Sequence, residues 1–263
     1  MTVRVGVFGA GGRMGSTVCR AIAADPELEL VGAIDPYHSG LDLRHVTGVD
    51  VPDLHIDPDP AALLAAGAQV VVDFTVLEAS RQNVAWAADN GVHAVVGTTG
   101  FTPEDHERLR ARFTRSNCLV APNFAIGAVL MMRFAELAAP WFETAEIIEL
   151  HHDNKVDAPS GTAMLTAQRM ARASDDWGED PTRKEVLAGA RGAVGPGGIP
   201  VHSVRLRGLV AHQEVLLGTT GQSLTIRHDS YDRDSFMPGV VLAVKQVADH
   251  PGLTLGLDSF LGL

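Results

Sequence analysis

The sequence predicts an α/β chain: a doubly wound parallel sheet followed by a second, strand-rich domain. Three observations predict it. Apolar runs alternate with helical stretches from residue 3 to about residue 121, the rhythm of βαβ units. A glycine-rich turn closes the first apolar run. Beyond residue 200 three strand-like segments follow one another without helices between them.

Val3-Arg4-Val5-Gly6-Val7-Phe8 reads as a buried strand that runs into Gly9-Ala10-Gly11-Gly12-Arg13-Met14-Gly15 and a helix through Ala24. Glycines there permit a tight turn and close approach of a pyrophosphate, which rests on the helix N-terminus. The common fingerprint has glycine at position 14; this chain has Met14, and its spacing is Gly9, Gly12, Gly15. Residues 28–34 form a second strand ending in Asp35. An acidic residue about 20 positions beyond such a turn holds the adenosine ribose. Asp35 suits a ribose 2′-hydroxyl and repels a 2′-phosphate, so NADH is favoured over NADPH. His38 and Arg44 lie nearby and leave use of both open.

A short helix from Asp59-Pro60 to near Gly67 precedes a buried strand over 69–74, whose end, Asp73-Phe74-Thr75, is a ligand position in such sheets. A helix from about Glu78 to Asn90 stops at Gly91, a left-handed cap. The strand at 92–96 closes with Gly97-Thr98-Thr99-Gly100, in itself an ordinary turn with two hydroxyls. A helix from Pro103 to about Arg115 leads to Cys118-Leu119-Val120-Ala121 and then Pro122-Asn123-Phe124. An apolar helix from about Ile126 to Trp141 opens the second domain, with Met131 and Met132 as core residues.

Glu146 to Leu150 then has the pattern of a strand reaching its end, which places His151 and His152 at a strand tip. Lys155 and Asp157 follow, Pro159 stops regular structure, and Ser160 is the N-cap of a helix through Met170. Free N–H groups at Gly161 and Thr162 suit an anion, carboxylates included. Acid/base groups, a cation and an anion-binding helix start together point to a small carboxylate on which a proton is moved. Adjacent residues on an ideal strand face opposite ways, so whichever histidine faces the nicotinamide is the acid. His151, His152 and Asp157 lack a second histidine or cysteine pair at a familiar spacing, and no metal site is expected.

Residues 173–200 are charged and then glycine-rich, the pattern of a long mobile connection. Strands follow at 201–207, 212–217 and 223–228. Arg205, Arg207, His212 and His228 on them read as solvated or salt-bridged side chains. Residues 234–250 have helical periodicity, and a short tail follows.

At 263 residues the chain fits two moderate domains. With 46% hydrophobic and 5% aromatic residues, its cores must be built from Ala, Val, Leu and Ile. A net charge of -11 repels nucleic acid and anionic membrane, so neither is an expected partner. No leader-like segment precedes the first strand and no apolar run is long enough to span a bilayer, so a cytoplasmic location is expected. Cys19 and Cys118 read as buried thiols.

The run from Glu149 to Met164, with His151-His152-Asp153-Asn154-Lys155 and Pro159-Ser160-Gly161-Thr162, resembles the signature of the dihydrodipicolinate reductase family of bacterial lysine and diaminopimelate biosynthesis. The Gly9, Gly12, Gly15 spacing around Arg13-Met14, the Gly97-to-Gly100 turn and Ala121-Pro122-Asn123-Phe124 are similar to the same family, so the resemblance spans essentially the whole chain. It implies a Rossmann-like dinucleotide-binding domain over 1–122 and 233–263. An α+β domain with a mixed sheet, 123–232, is then an insertion for substrate binding and oligomerisation.

The resemblance also implies NADH- or NADPH-dependent reduction of 4-hydroxy-tetrahydrodipicolinate to tetrahydrodipicolinate by a homotetramer. The substrate is a small dicarboxylate. His151 is then the general acid, assisted by the Lys155 cation. His152 holds one carboxylate and the Gly161 and Thr162 amides the other. Cofactor contacts fall to Gly9, Ala10, Gly11, Gly12, Arg13, Met14 and Asp35, and to Gly97, Thr98, Thr99, Ala121, Pro122, Asn123 and Phe124. Two rivals stand beside it. Another Rossmann-type amino-acid or semialdehyde dehydrogenase is one, although neither cysteine is placed as a nucleophile for acyl chemistry. A non-catalytic NADH-binding module is the other, and it has no need of the acid/base cluster.

Overall fold

β1 (Val3–Phe8) lies inside a seven-stranded, wholly parallel sheet, with β2 (Leu28–Ile34) on one side and β4 (Val70–Asp73) on the other. The structure is a computed structural model and describes residues 2–263. It divides into two units: the chain up to Phe124 together with Phe236–Leu263, and Ala125–Ser235.

In the first unit, β1 leads through α1 (Arg13–Ala24) to β2, and α2 (Leu43–Thr47) to the two-residue β3 (Ile56–Asp57). Next come α3 (Ala61–Ala65), β4, α4 (Leu77–Asn90), β5 (His93–Val96), α5 (Pro103–Arg112) and β6 (Cys118–Val120). The strand order is β12-β6-β5-β4-β1-β2-β3, where β12 (Leu253–Leu255) arrives from the end of the chain. Chain direction across the sheet reverses between β1 and β4, the switch point beside which such sheets take ligands. β4 is buried throughout, and Phe8, Leu63, Val71, Val84, Val96 and Leu109 form one core with it. A strand buried on both faces has to read as an unbroken apolar run, as Val70-Val71-Val72 does.

The second unit holds α6 (Ile126–Ala138), β7 (Thr144–His151), α7 (Gly161–Ala173), β8 (Ala193–Val194), β9 (Pro200–Arg205), β10 (Ala211–Thr219) and β11 (Gln222–Ser230). Its sheet, β11-β10-β7-β9-β8, is mixed: β7 and β9 are parallel, and the other pairs antiparallel. Ala135, Ala139, Ala163, Ala167 and Met170 pack on Ile147, Val201, Val215 and Leu217. The small alanines let the two helices approach the sheet closely. α8 (Met237–Gln246) returns the chain to the first unit, where the Asn117 side chain donates to the Val247 and Ala248 carbonyls at 2.9 and 2.8 Å.

Several boundaries differ from the sequence reading. α5 stops at Arg112, where the Phe113 N–H closes its last turn on Leu109. α6 gives way to a 3-10 turn at Ala139–Trp141 around Pro140. Residues 173–200 contain β8 and a 3-10 turn, Pro196–Gly198. The supposed tail contains β12, which pairs with β6. Both cysteines are buried free thiols. Burial pushes the Cys19 thiol up to about 12 and raises Cys118 as well, which leaves both unreactive. Among the described residues no helix is long and apolar enough to cross a membrane.

Candidate active site

Two groups of sequence-predicted residues are assembled, one in each unit. In the first unit Gly9 takes a left-handed φ of 67° that turns the chain out of β1, and its N–H donates to Ile34 at 2.7 Å. α1 starts at Gly12, whose missing side chain leaves the helix without a side-chain cap. Its first N–H groups are thus left for an anion. A Cβ on Gly15 would collide with the Gly9 carbonyl, so only glycine lets α1 start this close to the turn.

Asp35 is buried and braces the same turn. Its carboxylate accepts from the Gly11 N–H at 2.9 Å and the Tyr37 N–H at 3.0 Å, and the His38 Nδ1 lies 3.2 Å away. A carboxylate has about four acceptor sites, so two amide donors leave room for a ribose hydroxyl. Asp73 is a second hub at the end of β4. It accepts from the Thr75 N–H at 2.8 Å, the Thr75 hydroxyl at 2.7 Å, the Asn83 amide at 2.8 Å and the Thr98 hydroxyl at 3.2 Å. The single Thr98 hydroxyl proton is shared between Asp73 and the nearer Thr75 carbonyl at 2.8 Å, so the hydroxyl is engaged within the turn, and Thr99 is the exposed member of the pair. Phe74 fills the space where a Gly97 Cβ would stand and meets Phe124 at 5.5 Å between ring centroids. Ala121 is buried and Pro122 exposed.

In the second unit β7 ends at His151, so that residue stays in the sheet while His152 lies just beyond it and is exposed. Glu149 sits two positions back, in the buried phase that Ala145 and Ile147 also occupy. Its side chain is 0% exposed. Arg205 donates to both carboxylate oxygens, each at 2.9 Å; His151 Nδ1 lies 2.5 Å from Oε2, and the Ser160 N–H donates to Oε1 at 3.2 Å. Burial works against ionisation of Glu149, but the donors around it, Arg205 first, hold its carboxyl below the usual range. For His151 burial dominates over the attraction of Glu149, and its pKa is lowered.

An ionised carboxylate only accepts, so Nδ1 of His151 is the donor. Nε2 is left as the nitrogen available to a ligand. Lys155 donates to both Asp157 oxygens at 2.7 and 2.8 Å, and Lys155 in turn lowers the Asp157 carboxyl. Ser160 caps α7 by accepting from the Ala163 N–H at 3.1 Å. Around Gly161 a Cβ would meet no heavy atom within 4 Å, so the helix start is open.

Glu149 and Arg205 were absent from the predicted site. A charged residue in the core-facing phase of a strand was the signal for Glu149, since such a group has to be paired. Nothing in the sequence pairs it with Arg205, 56 residues on. Among the described residues no group of three or more His, Cys, Asp or Glu side chains is arranged to hold a metal ion. A cavity of about 670 Å³ lies at the other end of β7, against Glu146, Trp177 and Arg191, and takes in none of the signature residues.

Comparison with known proteins agrees over the full length. Residues 3–124 match the family model "Dihydrodipicolinate reductase, N-terminus" and residues 127–261 its C-terminal counterpart. The chain is similar to the 4-hydroxy-tetrahydrodipicolinate reductase of Corynebacterium urealyticum, 51% identical over 99% of each chain. It is 52% identical to that of Cutibacterium acnes over the same shares. Its fold is similar to a dipicolinate-bound dihydrodipicolinate reductase from Paenisporosarcina sp. TG-14, with a TM-score of 0.86 and 42% identity over 98% of this chain and 99% of that one. A dinucleotide turn at the switch point, a histidine and lysine cluster at a strand tip and matches to both halves of one family converge: the chain belongs to the dihydrodipicolinate reductase family of NAD(P)H-dependent oxidoreductases.

Proposed function

We propose that this chain reduces 4-hydroxy-tetrahydrodipicolinate to tetrahydrodipicolinate in lysine and diaminopimelate biosynthesis. The observation that carries the reading is the strand-tip cluster. His151 is oriented through Nδ1, Lys155 supplies a cation, and an open helix start follows at Gly161. That set matches what an unsaturated cyclic imine bearing two carboxylates requires.

The bound nicotinamide supplies the hydride. Hydride addition leaves negative charge on the substrate. The protonated His151 neutralises it by delivering a proton from Nε2, and Lys155 exchanges Asp157 for the substrate and stabilises the developing charge. His152 holds one carboxylate, and the Gly161 and Thr162 amides hold the other. An anionic substrate beside His151 raises the imidazole pKa, which brings the acid form into use when it is needed.

On the cofactor side, Gly9, Ala10, Gly11, Gly12, Arg13 and Met14 form the pyrophosphate turn and Asp35 takes the ribose. Gly97, Thr98, Thr99 and Ala121 to Phe124 line the nicotinamide end. The carboxylate of Asp35 supports a preference for NADH. The enzyme works in the cytoplasm as a homotetramer. In support of self-association, Ile148, Leu150, Val204 and Leu216 are part-exposed, in the strand phase opposite the residues that α6 and α7 cover.

The test follows nicotinamide absorbance with NADH and with NADPH while the labile substrate is made in place from pyruvate and aspartate semialdehyde by its synthase. Oxidation that depends on the synthase is the expected result. No oxidation of either cofactor by protein that binds NADH overturns the reading.

A further inference from the structure

The buried Glu149 carboxylate is ringed by donors, the Ser203 side chain among them. Oε1 takes Arg205 Nη2 at 2.9 Å and the Ser160 N–H at 3.2 Å; Oε2 takes Arg205 Nη1 at 2.9 Å and faces His151 Nδ1 at 2.5 Å. The parallel register of β7 and β9 sets His151 beside Arg205 and Glu149 beside Ser203, so the guanidinium reaches back across one strand to grip the carboxylate. Arg205 Nη2 also donates to the Asp157 carbonyl at 2.6 Å, and Nη1 to the Val204 carbonyl at 2.8 Å. One guanidinium therefore secures both the carboxylate and the loop that leads to α7.

We propose that Glu149 and Arg205 are positioning residues for proton transfer: Arg205 keeps the carboxylate ionised, and the carboxylate fixes the His151 ring with its proton on Nδ1, so that Nε2 exchanges protons with the substrate. The inference rests on the reading of His151 as the acid and adds what makes one of its nitrogens the working one. A buried carboxylate without a partner takes up a proton and becomes a donor, which would release the ring to either tautomer. The fork of an arginine meets both oxygens at once and prevents this. The charged groups that face the imidazole are Glu149 on its own strand, Arg205 on β9 and Lys155 from the loop; its partner on β10 is the uncharged Ala211.

Ser160 hangs on the same carboxylate, so lost activity alone would not separate positioning from a structural role. The first readout is therefore the tautomer of His151 in the free, full-length protein, from the ¹⁵N shifts of its two ring nitrogens. The expected neutral ring is protonated on Nδ1 in the wild type and redistributes towards Nε2 in Arg205→Gln. The second readout is kinetic. In Arg205→Gln, kcat falls at least about tenfold, a part of the roughly 10²- to 10⁴-fold that a general acid contributes. KM and the affinity for dipicolinate change much less, and Arg205→Lys recovers part of kcat.

Glu149→Gln/Arg205→Gln removes the two buried charges together and supplies a folded variant if either single change does not fold. Its expected result is native circular dichroism with the same tautomer shift and loss of kcat. A wild-type ring protonated on Nε2, or an unchanged tautomer and kcat in any folded variant, overturns the proposal. Failure of the reductase reading shows separately, as absence of synthase-dependent oxidation by the wild type, and leaves the tautomer measurement valid.

Discussion

His151 Nδ1 stands 2.5 Å from Oε2 of Glu149, two residues back along β7 and in the same strand phase. The contact raises the imidazole pKa, yet burial outweighs it and the net shift is downward. The acid form is then the minority species of the free enzyme at neutral pH. kcat/KM should fall as pH rises through a value below the usual histidine pKa of about 6.5, towards tenfold per pH unit. The kcat profile should break at higher pH, because the bound dicarboxylate raises the same group. His151→Gln should abolish this limb and lower turnover by roughly 10²- to 10⁴-fold with NADH affinity little changed. Wild-type turnover in that variant would remove His151 from the chemistry.

The same shift fixes a stability trend. His151, His93 and His228 are each lowered by burial, so folding disfavours their charged forms. Their stabilising contribution is complete above the unfolded value of about 6.5 and is lost as pH falls through the folded values. Thermal unfolding should therefore move to lower temperature as the buffer is taken from pH 7.5 to 5.5. A midpoint that stays level or rises across that range would contradict the buried, neutral state of these rings.

Lys155 is gripped by both oxygens of Asp157 at 2.7 and 2.8 Å, and its side chain is only 20% exposed. On the proposed reading this one cation serves both the bound anionic substrate and the developing charge, so it acts in both ground and transition state. Lys155→Ala should therefore raise KM and lower kcat together. Steady-state assays that show both parameters unchanged would sink the assignment.

Asp35 Oδ2 accepts the Gly11 N–H, so this carboxylate shapes the turn after β1, and the proposed function adds a contact to the ribose. Hydrogen bonds to charged groups contribute about 1.5–3 kcal/mol. Asp35→Ser should weaken NADH binding by roughly tenfold or more while NADPH, freed of charge repulsion, loses less. Fluorescence titration with each cofactor measures the ratio, and equal losses would show that Asp35 acts only on the turn.

The parallel sheet was readable because strands buried on both faces are unbroken apolar runs, as at Val70-Val71-Val72, and because Gly91 ends α4 with φ 70°. β12 escaped because three residues, Leu253-Thr254-Leu255, carry no period, and only its pairing with β6 makes it a strand. In the site, His151, Lys155 and Ser160 were legible because they are neighbours in one short run. Glu149 lies in the same run, but a strand pattern alone does not show that it shares the buried phase of Ala145 and Ile147. Arg205 reads from the sequence as a solvated or salt-bridged side chain, and the structure makes it the salt-bridged kind, with Glu149 as partner. Its partnership depends on the β7 and β9 register, which no local pattern encodes.

Two glycines separate fold from function. At Gly15 a Cβ would collide with the Gly9 carbonyl and approach the Ala10 Cα to 3.0 Å, backbone that cannot move without undoing the turn. Gly15→Ala should cost about 1–3 kcal/mol, as overpacking of a close-packed site does, and weaken cofactor binding with it. At Gly161 the added methyl meets nothing within 4 Å, and φ is not left-handed. Gly161→Ala should leave the protein equally stable or more so by about 0.4–1 kcal/mol, since alanine loses less chain entropy on folding. Under the proposed function this methyl would stand where a substrate carboxylate approaches the helix start, so KM should rise while NADH affinity stays the same. Thermal unfolding beside steady-state assays on both variants decides it: an unchanged KM in a stable Gly161→Ala protein would place the carboxylate elsewhere.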